Sequence, residues 1–167
     1  MAQIDSLYDV LDNLLNLNRA LYTLAVQKKD VLIKGDMDAL VQMTQQEQKL
    51  IKAITTTEAS RIQVINEIFA EKGLPLAEHT LLGLTKALTN VDQKSRLTKY
   101  REELIRIVSE LREANELNQQ LLEQSLSFVN HSLDLFTDTP EDDFIYRKPI
   151  GNQAMYQPNR SFINKKA

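Results

Sequence analysis

Two histidines, a row of glutamates and one Glu–Arg pair are the residues of this chain with chemistry to offer. His79 and His131 stand far apart, and neither has a glutamate at the three-residue spacing with which helical bundles hold paired metal ions. Both are expected on the surface or in the core rather than on a metal. Glu102, Glu110, Glu113, Glu116 and Glu123 would suit general acid–base work only inside a pocket that separates their proton affinities. Their helical spacing predicts a solvated face without a pocket instead. Glu58 and Arg61, three apart, fit an ion pair within one helix. With no cysteine there is no disulfide, no thiolate zinc site and no cysteine nucleophile, which fits a reducing compartment. Four glycines are too few for a phosphate-cradling loop in an α/β fold. The expectation is a protein that binds rather than an enzyme, with no metal and no other cofactor.

What positions these residues is a set of long rods. Residues 36–72 and 84–139 contain neither glycine nor proline, and blocks of that length with a helical period are far too long for strands. In the first block Leu7, Val10, Leu11, Leu14, Leu17, Leu21, Leu24, Ala25, Val31 and Leu32 recur at steps of three and four, one face of a helix. Lys28, Lys29 and Lys34 oppose the negative pole at its end, and Gly35 supplies a left-handed stop. Asp36 is placed to cap a second helix starting at Met37, and a two-residue joint forces an antiparallel hairpin. The second helix carries Leu40, Met43, Leu50, Ile51, Ile54, Ile62, Ile65, Ile68 and Phe69, interrupted by Glu47, Glu58 and Arg61. Thr55-Thr56-Thr57 lowers local propensity and marks a candidate weak turn. Thr80 is placed to cap a short helix whose Leu81, Leu82 and Leu84 would plug the bundle end. The fold class is therefore all-α: helices over about 4–34, 37–72, 81–88 and 91–136, in an elongated hairpin plus a longer third rod, within a helical domain of residues 1–139.

The third rod has a main stripe of Leu97, Leu104, Val108, Leu111, Asn115, Asn118, Leu122, Ser125, Val129, Ser132 and Phe136. Asn115 and Asn118 are amides on a seam, where such groups set register or await a partner. Leu117, Leu121, Phe128 and Leu135 form a second apolar row, roughly 100° round from the first at the usual helical step. That row either packs against a second helix or stands open as a groove for a partner. From Thr137 the composition changes, and residues 140–167 predict a flexible tail. Phe144–Tyr146 there has the look of a linear recognition motif.

A net charge of −3 leaves no electrostatic footprint for nucleic acid. No apolar run approaches the roughly 20 residues that span a bilayer, and the start of the chain is acidic where a secretory signal would be basic. A cytoplasmic, soluble protein without stable membrane insertion is expected.

Several segments, taken in order, resemble the FlgN family of flagellar export chaperones. They are Leu32-Ile-Lys-Gly-Asp-Met-Asp-Ala-Leu40, Glu58 with Arg61, Asn115-x-x-Asn118-x-x-Leu121-Leu122, and Ser125-Leu-Ser-Phe-Val129. Tyr146 with Gly151, and the closing Ile163-Asn-Lys-Lys-Ala167, extend the likeness into the tail. The resemblance implies a chaperone that binds hook-associated proteins of the hook–filament junction through their C-terminal helical segments. It would keep them from assembling early and hand them to the flagellar type III export gate. Asn115, Leu117, Asn118, Leu121, Leu122, Phe128 and Leu135 are then the expected client contacts, and Phe144, Tyr146 and Gly151 the gate-docking residues. Two alternatives stay open at this point. The rod could be a structural coiled-coil adaptor that self-associates through its second row, and the tail aromatics could cover that row rather than dock at the gate.

Overall fold

The computed structural model describes residues 2–73 and 80–137. Every secondary-structure element among them is a helix: α1 (Ala2–Lys34), α2 (Met37–Glu71), α3 (Leu81–Ala87) and α4 (Val91–Thr137). The punctuation residues act as their chemistry demands. Gly35 takes the left-handed backbone with φ 68°, where a side chain would be strained, and its amide bonds back to the Leu32 carbonyl. Asp36 then accepts a hydrogen bond from the Ala39 amide at 3.0 Å and so caps α2. Thr80 caps α3 by accepting from the Gly83 amide at 2.9 Å, and Asn90 accepts from the Gln93 amide at 3.1 Å at the start of α4. The threonine run makes no turn. The hydroxyls of Thr55, Thr56 and Thr57 each donate to the carbonyl four residues back, and α2 runs through them unbroken.

Residue contacts divide the chain into two units, Met1–Leu126 and Ser127–Ala167. In the first unit α1 is the most enclosed helix. Ile4, Leu7, Tyr8, Leu11, Leu14, Leu15, Leu21, Leu24, Ala25 and Leu32 are buried, a wider face than one neighbour could cover. On one side Asn13 Nδ2 donates to Thr57 Oγ1 at 3.3 Å and Lys28 pairs with Glu47 at 2.7 Å, so α1 and α2 run in opposite senses. On the other, Tyr100 donates to Asp12 at 2.7 Å, Arg19 pairs with Glu103 at 2.8 Å and Asn118 Nδ2 donates to the Ala25 carbonyl at 2.7 Å. Both residue numbers rise together there, so α4 runs along α1 in the same sense. Lys28, expected to serve the α1 terminus, is thus spent on Glu47, and that pair explains why a carboxylate interrupts the α2 stripe.

The main core lies where the start of α1, the end of α2, α3 and the start of α4 meet. Leu7, Leu11, Leu14, Ile65, Ile68, Leu84 and Leu97 are its most enclosed members. Leu81, Leu84 and Leu88 plug it as α3 was expected to, but Leu82 turns outward. Among residues expected in the core, Leu11, Leu14, Leu21 and Ile65 are buried, Leu50, Ile54, Leu104 and Leu111 are half-buried, and Leu122 is exposed.

The expected main stripe of α4 needs correction. Its packed face runs Leu97, Tyr100, Leu104, Ile107, Leu111, Ala114, Asn118 and Leu121, all buried or half-buried. These positions alternate strictly by three and four. The expected stripe has the same alternation and shares Leu97, Leu104, Leu111 and Asn118 with this face, but it took the residue four after Leu104, Leu111 and Asn118 where the packed face takes the residue three after. Val108, Asn115 and Leu122 are exposed. Both phases keep the 3.5-residue repeat that holds one helix in register along a straight neighbour, and burial at Tyr100, Ile107 and Ala114 decides between them.

At the α1–α4 seam the Arg96 guanidinium sits 3.8 Å from the Tyr8 ring centroid, and the Tyr8 and Tyr100 rings stack 5.9 Å apart. Burial pushes both phenols above their ordinary range, and at Tyr100 the hydrogen bond to Asp12 adds to the rise, since an ionised phenol cannot donate it. A folded-state value above the unfolded one means that the unfolded chain loses its protons first. Stability from these rings is therefore complete below about pH 10 and is lost as the pH climbs past it. Urea titrations at pH 8 and pH 11 should show the advantage of the wild type over Tyr100→Phe shrinking at the higher pH. An equal advantage at both would contradict the Tyr100–Asp12 bond.

Candidate partner-binding face of α4

No described helix is long and apolar enough to cross a membrane, and no cluster of metal-ligating side chains occurs among the described residues. His131 is exposed; His79 lies outside the described residues. Glu58 accepts from Arg61 Nε at 2.7 Å, the local pair that their spacing implied. What stands out chemically is the change in α4 along its length. Up to Leu121 its seam positions are covered. The same three–four spacing continues through Ser125, Phe128, Ser132 and Leu135, yet no residue of α4 beyond Asn118 is buried.

Within the first unit Leu117 and Leu122 are 40% and 42% exposed, and Leu126 is exposed as well. Within the second, Phe128 and Leu135 are 71% and 62% exposed, and Val129, Leu133 and Phe136 are also open to solvent. Leu122, Leu126, Val129, Leu133 and Phe136 follow steps of four and three, so a second apolar row accompanies the seam continuation. Leu126 and Leu133 were not expected in it. Serines at 125 and 132 had been placed on the stripe instead, and a strict 4–3–4–3 count from Leu122 would have found the leucines. Two such rows leave this stretch apolar on about half its circumference, far more than a solvated helix carries.

The two asparagines part company. Asn115 is exposed on α4 beside Arg112, Glu116 and Gln119. Asn118 is only 6% exposed and its Nδ2 is committed to the Ala25 carbonyl, which fixes the register of α4 on α1. Its Oδ1 is buried with no hydrogen-bond partner, at a cost of roughly 1–3 kcal/mol. Beside it a cleft of about 290 Å³ opens between α1 and α4, floored by Ala25, Val26, Ala114 and Leu117. Glu110, Glu113, Lys29 and Tyr22 complete its walls. The glutamates expected on a solvated face therefore do include two at a cleft. Phe144, Tyr146 and Gly151 lie outside the described residues.

Described residues whose every element is a helix, a buried amide that sets register and a long apolar helix end fit the order of segments noted in the sequence. The family model described as FlgN protein matches residues 1–154. The chain belongs to the FlgN family. That family carries a flagellar export chaperone role rather than a catalytic one. The uncharacterized protein YvyG of Bacillus subtilis (strain 168) is 28% identical to it over 162 residues, covering 97% of this chain and 98% of YvyG. No solved structure matches the chain. In FlgN terms, the match runs through all four helices and on beyond Thr137, so it includes the apolar stretch of α4 and the start of the tail.

Proposed function

We propose that the protein is a cytoplasmic chaperone for hook-associated proteins of the hook–filament junction. It holds their C-terminal helical segments away from assembly and hands them to the flagellar type III export gate. The observation that carries this reading is the continuation of the α4 seam spacing into Phe128 and Leu135, where both side chains are exposed. A seam repeat without cover is what an incoming amphipathic helix would complete. In the arrangement that supports it, α1 and α2 form a hairpin, α4 lies along α1, and Leu117, Leu121 and Leu122 border the client's path. Asn115 offers a free amide at the rim, while Asn118 contributes through the cleft rather than as an open flank. Residues 140–167 supply the second contact, with Phe144, Tyr146 and Gly151 as the handle for the gate. A tyrosine ring with a polar tip fills a small pocket at low entropic cost.

Titration calorimetry of the purified chain against purified hook-associated proteins tests the client arm. Binding between micromolar and nanomolar is expected, since about four large apolar contacts contribute roughly 6–12 kcal/mol before association costs. Truncation after Thr139 should leave that affinity unchanged and abolish docking to the gate; a rise in client affinity would make the tail a cover instead. A Tyr146→Ala variant that still docks and exports normally would remove the handle. The 4–3–4–3 row from Leu122 to Phe136 also suits a second copy of the chain as an adaptor, because that spacing is a coiled-coil seam. Solution mass separates the two readings: a monomer keeps the chaperone, and a tight dimer replaces it with the self-associating rod.

A further inference from the structure

The cleft between α1 and α4 has a charge pattern that the apolar rows do not explain. Glu110 and Glu113, one helical turn apart, stand on its α4 wall, and neither forms an ion pair among the described residues. Asn118, in the same wall and 94% buried by its 6% exposure, keeps an acceptor oxygen without a donor. Three residues with acceptors to spare thus line one cleft together with apolar Ala25, Val26, Ala114 and Leu117. The geometry points to a subsite for an arginine side chain of the protein partner. The aliphatic stem lies on the apolar floor, and the guanidinium donates to Glu110, Glu113 and Asn118 Oδ1. Guanidinium suits this set because its planar fork offers five N–H donors and loses less hydration than an ammonium. A carboxylate partner would leave Asn118 Oδ1 unsatisfied and face two like charges. Lys29, on the α1 wall, opposes the incoming cation and sets how strongly it binds.

This subsite rests on the chaperone reading for the identity of the partner, and it adds which residue type of the client is recognised and where. Client affinity is measured at low and high salt for the wild type, for Glu110→Gln with Glu113→Gln, and for Lys29→Gln. The paired glutamine variant should bind about tenfold more weakly at low salt and lose most of its salt dependence, with helicity unchanged. Lys29→Gln should bind more tightly. Unchanged affinity in the paired variant, or weaker binding in Lys29→Gln, overturns the subsite and leaves the chaperone reading intact. If no hook-associated protein binds the wild type, that reading falls, and a client-free titration decides the cleft. N-acetyl-arginine methylamide should then move the side-chain amide signals of Asn118, an effect lost in the paired variant. N-acetyl-norleucine methylamide should not move them. No arginine-specific shift, or one that persists in the paired variant, overturns the subsite.

Discussion

Leu97→Ala will destabilise the protein by about 2–5 kcal/mol, whereas Leu122→Ala, on the same helix, will change stability by only a few tenths of that. Leu97 is fully enclosed in the core that α1, α2, α3 and the start of α4 build together. Truncation there removes transfer energy and leaves a cavity lined by side chains that α1 and α2 hold in place. Leu122 has nothing comparable to lose, being 42% exposed. Leu111, half-buried, should fall between them. Urea unfolding followed by circular dichroism measures all three. The order Leu97, Leu111, Leu122 tests the seam phase directly, because a stripe through Val108, Asn115 and Leu122 would make the three costs similar. A Leu122→Ala loss as large as that of Leu97→Ala would restore that stripe and displace the seam through Ile107, Ala114 and Leu121.

The difference between the two phases shows how far this sequence speaks for itself. Helix boundaries were legible because single residues punctuate them: Gly35 with its positive φ, Asp36 and Thr80 with side chains that can only cap. The α1 face was legible because leucine dominates it, though Tyr8, Leu15 and Asn18 widen it beyond the expected stripe. In α4 apolar residues occur on several sides, so hydropathy alone does not choose between neighbouring phases. Tyr100, Ala114 and Asn118 sit on the true seam for reasons that hydropathy undervalues. They are a ring stacked on Tyr8, a small half-buried side chain, and an amide matched to one carbonyl. The interplay of Glu110 and Glu113 with a cleft was invisible for a related reason. Their exposure pattern depends on where α1 lies, and sequence spacing within α4 carries no record of that.

Phe128→Ser with Leu135→Ser should weaken client binding by roughly 10²- to 10⁴-fold, at about 1.5–3 kcal/mol for each lost apolar contact. Stability should hold, because side chains 71% and 62% exposed contribute little to the folded unit. These two residues continue the spacing of the α4 seam, so a client helix that completes the seam must meet them. Val129→Ser with Leu133→Ser, on the outer row, is the informative companion. If a single client helix binds along the seam continuation, this second pair should cost much less. If the client instead covers both rows, the two pairs should cost alike, which suits the half-circumference of apolar surface on this stretch. If the second pair alone abolishes binding, the outer row is the docking face and the seam continuation is not. A melting temperature lowered in Phe128→Ser/Leu135→Ser as far as in Leu97→Ala would make these positions core and withdraw them from client binding altogether. Each outcome assigns the apolar surface by what it excludes from water: a client on one row, a client on both, or the protein itself.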